Sequence, residues 1–175
     1  MSNKTLKIMS KNIKLDKVIN LLKSVYEHSP WVPERLFSAD LTEIIDKDHL
    51  QKKMKEIVDN ANKTQKLVLI KAHPELGNKL QKSDQLTKFS KDEQRSAGLD
   101  QCSEEEYETL NQLNERYREK FNFPFIIAVK GISKKKIIEQ MRKRVLNTEN
   151  VEFETAITEI HKIAKIRIQE IDFET

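Results

Sequence analysis

Between residues 151 and 171 the apolar side chains Phe153, Ala156, Ile157, Ile160, Ile163, Ala164 and Ile171 fall on one face of a helix. That spacing predicts a long last helix, from about Val151 to Ile171, that has to bury one stripe against other elements. Arg167 interrupts the stripe, lying three and four residues from Ala164 and Ile163 and four from Ile171. Projecting from an apolar face, its guanidinium needs a carboxylate partner, a bound anion or a route for its stem to reach water.

The elements that cover such a helix are predicted to be helices too. Turn-rich β architectures consume glycine and proline, and the chain has only three glycines and four prolines in 175 residues. The expected architecture is all-α, a single-domain bundle of about seven to nine helices spanning residues 1–175. Asp16 is expected to cap a first helix carrying Val18, Ile19, Leu22, Val25 and Tyr26, which ends before Pro30-Trp31-Val32-Pro33. Those two prolines predict a rigid corner with Trp31 plugging the core. A short element starts at Phe37 to Leu41, and a fuller helix carries Leu50, Met54, Ile57, Val58 and Ala61, with a break from Asn60 to Lys63.

Gln65 to Ala72 reads as a buried helix, and Gly77 to Lys88 as a loop or short irregular helix. Ser90 and Glu93, and then Ser103 and Glu106, both fit the capping box, a hydroxyl and a carboxylate three apart. The second box heads a helix with Tyr107, Leu110, Leu113, Tyr117 and Phe121 on one face. Phe123 to Val129 is the most apolar stretch and reads as a buried extended or helical segment. Ser133 caps a lysine-rich helix with Ile137, Ile138, Met141, Val145 and Leu146 inward, its run Lys134 to Lys136 forming a solvated first turn.

Charge and cysteine narrow the function classes. A net charge of +4 is spread among 32 basic and 28 acidic residues, with no basic stripe interleaved with aromatics, so no nucleic-acid partner is expected. Nothing approaches the ~18 apolar residues of a membrane span, and no apolar leader follows Met1. Cys102 is the single cysteine, which excludes an internal disulfide and suits a reducing, cytoplasmic setting. The histidines at 28, 49, 73 and 161 lack metal-ligand spacing and no glycine-rich phosphate loop occurs, so neither metal nor nucleotide cofactor is expected.

The chemistry-bearing residues are His73, Glu93 and Arg167. His73 stands in Lys71-Ala72-His73-Pro74-Glu75-Leu76-Gly77, where the apolar run Leu67 to Ile70 must stop. Pro74 biases His73 away from helical geometry, which presents an imidazole at the end of a buried element. Each residue also has a plainer reading: His73 as a helix C-cap, Glu93 as half of a capping box, Arg167 as a core ion-pair partner. Under those readings the chain is a helical binding or scaffold protein. A base, an acid and an anion clamp together are what a decarboxylation or proton transfer requires.

Several separated motifs, in order, resemble one family. His73-Pro74-Glu75-Leu76-Gly77, Ser90 through Glu93-Gln94, Ala97-Gly98-Leu99-Asp100, Leu110-Asn111, Tyr117, Lys120-Phe121 and Phe123-Pro124-Phe125-Ile126 look like those of the 2-oxo-4-hydroxy-4-carboxy-5-ureidoimidazoline (OHCU) decarboxylases. Arg144-Val145-Leu146-Asn147 and Ile166-Arg167-Ile168 look like its remaining landmarks. The resemblance implies a helical homodimer that takes a small-molecule substrate in the path from uric acid to allantoin, with no metal or organic cofactor. It implies His73 and Glu93 as catalytic, Arg167 as substrate-binding, and Pro74, Ser90, Phe125, Ile126 and Ile127 as the substrate's surroundings. Ile132-Ser133 departs from the family pattern, which touches pocket-edge contacts. A decarboxylase acting on a related ureido ring remains an alternative at this stage.

Overall fold

The computed structural model describes residues 5–9, 11–38, 43–77 and 86–174. These group into two compact units, one formed by Met1–Leu69 with His161–Thr175 and the other by Ile70–Ile160.

The first unit holds a small sheet that the expectation of an all-α fold did not include. Strands β1 (Thr5–Ile8) and β2 (Lys11–Lys14) pair antiparallel, and β3 (Glu43–Ile44) joins β1 in parallel, giving the order β2-β1-β3. Leu6 and Ile8 are buried while Thr5 and Lys7 face outward, the period-two alternation of a half-buried strand. Lys7 pairs with Glu43 across the sheet at 2.8 Å. Overall, eight helices among the described residues make the chain mostly helical, with this sheet added.

Helix α1 (Leu15–Leu22) starts without a side-chain cap, and Asp16 sits in its first turn instead of capping it. A carboxylate there still favours the positive end of the dipole. Helix α2 (Trp31–Ser38) begins at the expected corner, since proline is tolerated in a first turn where its missing N–H is not needed. Trp31 is not the core plug: it is half-buried with the Arg35 guanidinium 4.9 Å from its ring, and Val32, Pro33, Leu36 and Phe37 fill the core. The rest of the short element expected at Phe37 to Leu41 lies outside the described residues. Asp46 caps α3 (Lys47–Asp59), which buries Leu50, Met54 and Val58, and α4 (Lys63–Lys71) follows the break at Asn60 to Asn62.

His161, on α8 (Glu149–Glu170), joins a chain of polar groups that runs from the buried Tyr26 to the exposed Asp59. The Tyr26 hydroxyl and His161 Nδ1 are 2.9 Å apart, as are His161 Nε2 and Asp59 Oδ1. Tyr26 remains a phenol, because burial pushes its pKa far up and the Asp59 charge adds to this. It therefore donates to Nδ1, which leaves the Nε2 proton for Asp59. Burial lowers the His161 pKa against the opposing pull of Asp59. Burial also disfavours the Asp59 charge, yet hydrogen bonds from Lys55 and His161 hold its carboxyl below the usual range. An imidazole held neutral in the folded state takes up its proton more readily when unfolded. Its contribution to stability is therefore complete above about 6.5 and is lost as pH falls below that. The melting temperature is expected to drop more steeply between about pH 7 and pH 5 in the wild type than in His161→Gln. Parallel melting curves of the two proteins would remove His161 from this role.

In the second unit, Ser103 and Glu106 form the complete capping box of α6 (Glu104–Phe121), and Ser133 caps α7 (Lys134–Arg144). Helix α6 ends at Asn122 in the left-handed region at φ 57°, a conformation asparagine tolerates better than most residues. Tyr117, Phe121, Phe123 and Phe125 then stack and meet edge to face, with ring centroids 4.6 to 6.0 Å apart. The apolar stretch after Phe121 is irregular, neither strand nor helix, and buries Phe123, Phe125, Ile126, Ile127 and Val129. Leu146, expected inward, is 72% exposed because α7 ends at Arg144. Lys135 and Lys136 are exposed as the solvated reading expects, whereas Lys134 is half-buried where it pairs with Glu106 at 2.7 Å; Lys136 pairs with Glu139 at 3.0 Å. No helix of the described residues is long and apolar enough to cross a membrane.

Candidate active site

Helix α4 ends at Lys71, and the His73 amide closes a last turn onto the Ile70 carbonyl at 3.1 Å. The chain then leaves as Pro74 requires, with His73 7% exposed and Pro74 half-buried. Gly77 stands at φ 66°, a region L side chains rarely adopt, and an added Cβ would meet Leu110 Cδ1 at 2.8 Å.

Ser90 and Glu93 lie on α5 (Lys88–Ser96), but not as the capping box the sequence suggested. Thr87 is the cap, its hydroxyl accepting from the Ser90 amide at 3.2 Å. Ser90 is thereby turned into the helix and buried, and Glu93 sits half-buried one turn further on, where capping no longer explains it. Glu93 and Ser90 are tied to the histidine loop by the next residue. Gln94 Oε1 accepts from the Gly77 amide at 3.1 Å, and its Nε2 donates to the Glu75 carbonyl at 3.4 Å. Helix α6 fixes the same loop from a second side: Asn114 Nδ2 donates to the Leu76 carbonyl at 3.0 Å, and Arg118 pairs with Glu75.

Phe125, Ile126 and Ile127 are buried in the same unit, and the Tyr117 ring meets Phe125 edge-on at 5.4 Å. Asn114, Tyr117 and Arg118 are three and four residues apart on α6. One helix face thus holds both the loop of His73 and the segment of Phe125 to Ile127.

Arg167 belongs to the first unit, where it is 1% exposed. Its Nη1 donates to Glu27 Oε2 at 2.7 Å and to the carbonyls of Ser24 and Val25 at 3.0 and 3.4 Å. Glu27 is completely buried and is the carboxylate partner that the sequence called for without naming. Gln94, Asn114, Arg118 and Glu27 were not singled out for these roles, because each acts through a contact distant in sequence. Only Asn114 gave a weak signal, a polar type at an otherwise apolar helical position between Leu113 and Tyr117. Among the described residues no three His, Cys, Asp or Glu side chains converge as a metal site would.

The family pattern described as OHCU decarboxylase matches residues 11–169. The chain belongs to this family. A relative from Haloferax volcanii, 2-oxo-4-hydroxy-4-carboxy-5-ureidoimidazoline decarboxylase, is 41% identical over 155 residues, covering 89% of each chain. The uric acid degradation bifunctional protein PucL of Bacillus subtilis is 41% identical over 150 residues, 86% of this chain and 29% of that protein. Among solved structures, an (S)-allantoin synthase superposes with a TM-score of 0.71 at 32% identity, over 89% of this chain. The chain spans half the length of that allantoin synthase.

Proposed function

We propose that this chain decarboxylates OHCU to (S)-allantoin and CO2 in urate degradation, as a cytoplasmic homodimer whose residues 1–175 act as one catalytic domain. The observation that carries the reading is the Haloferax volcanii relative of that name, which matches over 89% of both chains. The organic chemistry is consistent with it. OHCU bears its carboxylate on a carbon that also carries a hydroxyl, next to a carbon doubly bonded to nitrogen. The electron pair released with CO2 has a sink inside the substrate, so the reaction calls for no added cofactor.

The chain's own task is then to place a proton and to hold an anion. His73, half-turned out of α4 and buried, is proposed to deprotonate or polarise the substrate hydroxyl with Glu93 and to help deliver the proton that sets the stereochemistry. Pro74, Ser90, Phe125, Ile126 and Ile127 are proposed to surround the ring, where dry apolar walls favour loss of a carboxylate's charge as CO2. Arg167 is proposed for an anionic or carbonyl oxygen of the substrate through its forked donors, on the family resemblance. Fresh OHCU, made from urate with uricase, tests the reading. Added enzyme is expected to speed its decay and to give allantoin with a circular dichroism signal. Decay at the spontaneous rate, or optically silent product, would overturn it.

A further inference from the structure

Residues 123–129 have neither a helix nor a strand ladder to hold them, yet on the proposed reading Phe125 to Ile127 must sit against the substrate ring with sub-ångström accuracy. Their position has to come from side chains. Arg144 supplies two of those contacts: its Nη1 donates to the Ile126 carbonyl at 2.7 Å, and its Cζ lies 4.3 Å from the centre of the Phe125 ring. A third comes from Glu159, which accepts from the Ala128 amide at 2.9 Å.

Arg144 is itself aimed. Glu152 accepts from Arg144 Nε at 2.7 Å, from Asn147 Nδ2 at 2.9 Å and from the Tyr117 hydroxyl. Arg144 Nη2 lies 2.5 Å from the same carboxylate, close enough for charge pairing though not aligned for a hydrogen bond. The Tyr117 phenol is held protonated by burial and by the adjoining Glu152 carboxylate, so it stays a donor. Glu152 is completely buried and Arg144 nearly so. Buried ion pairs are poor sources of stability, because apolar residues of the same volume serve as well. What this pair does provide is direction. A rigid planar fork presents Nε to Glu152 and Nη1 to Ile126 while its face covers Phe125, which a lysine ammonium cannot reproduce.

We propose that Arg144, aimed by Glu152, is a positioning residue for the decarboxylation that sets the segment Phe125 to Ile127 against the substrate. The proposal rests on the reading of that segment given above. Arg144→Lys keeps the charge opposite Glu152 and loses the fork. A displacement of the order of 1 Å in substrate-positioning groups can cost ~100-fold in rate. Arg144→Lys is therefore expected to lower kcat/KM by about 10- to 100-fold, chiefly through a higher KM, with a native near-ultraviolet circular dichroism spectrum. A merely structural residue would reduce the amount of active enzyme and leave KM alone. A KM within about twofold of wild type therefore overturns the proposal. If Arg144→Lys does not fold, the double variant Arg144→Met with Glu152→Gln removes both charges and is expected to show the same rise in KM. Failure of both to fold assigns the pair to the core and overturns it too. An inactive wild type would instead strike the proposed function, leaving a result distinct from an active wild type with an unaltered Arg144→Lys KM.

Discussion

His73→Ala is expected to lower kcat for OHCU by about 10²- to 10⁴-fold, the range that a positioned general acid or base contributes. The size of the loss follows from where the chain puts the imidazole. His73 is buried just past the end of α4, where Pro74 forbids further helix. Its loop is pinned at Glu75, Leu76 and Gly77 by Gln94, Asn114 and Arg118 from two helices. A loop held that firmly is more than a helix cap needs, since a cap at an exposed C-terminus contributes at most a few tenths to one kcal/mol and needs no clamp. His73→Ala removes the ring and keeps the loop's backbone contacts, so its melting temperature is expected to fall far less than its activity. The measurement is the OHCU decay rate beside the circular dichroism of the allantoin formed. Glu93→Gln, which keeps the side-chain shape and removes the charge, is the companion variant. A His73→Ala protein that turns over OHCU at the wild-type rate would take the histidine out of the mechanism.

Much of this arrangement was legible in the sequence, and the divide runs along locality. The helix caps at Ser103 and Ser133 and the end of α4 before His73 are decided within four residues, by hydroxyl, carboxylate or proline. The same rule fails where two local answers compete. Thr87 and Ser90 are both hydroxyls able to head α5, and burial of Ser90 gave the cap to Thr87. The pairing of β3 escaped because Lys7 meets Glu43 and Ile8 meets Ile44 across a separation no window of sequence spans, whereas β1 and β2 are close in sequence and were missed because two four-residue strands with no glycine between them give little local signal. At the candidate site, the residues proposed to perform chemistry stood out, whereas those that hold them did not. Asn114 serves Leu76 from 38 residues away, and Arg144 serves Ile126 from 18.

Arg167 shows the same divide at its sharpest, because its partner lies 140 residues earlier. Glu27→Gln is expected to destabilise the protein by about 3–5 kcal/mol, the usual cost of leaving one member of a buried pair without its counter-charge. At ~2–4 °C per kcal/mol for a chain of this size, the melting temperature should fall by roughly 6–20 °C. The carbonyls of Ser24 and Val25 still accept from the guanidinium, but dipoles do not replace a full charge in a completely buried setting. Removing both charges together, as Glu27→Leu with Arg167→Met, is expected to restore most of that stability, since similar volumes then pack without an uncompensated ion. The pair of variants also separates the two roles proposed for Arg167. An arginine that only balances Glu27 predicts a stable double variant with the wild-type KM. One that also grips the substrate predicts the same stable protein with a raised KM, or no turnover at all. Melting curves and OHCU kinetics on the two proteins decide between them, and Glu27→Gln melting like wild type would remove the buried pair from the fold's stability altogether.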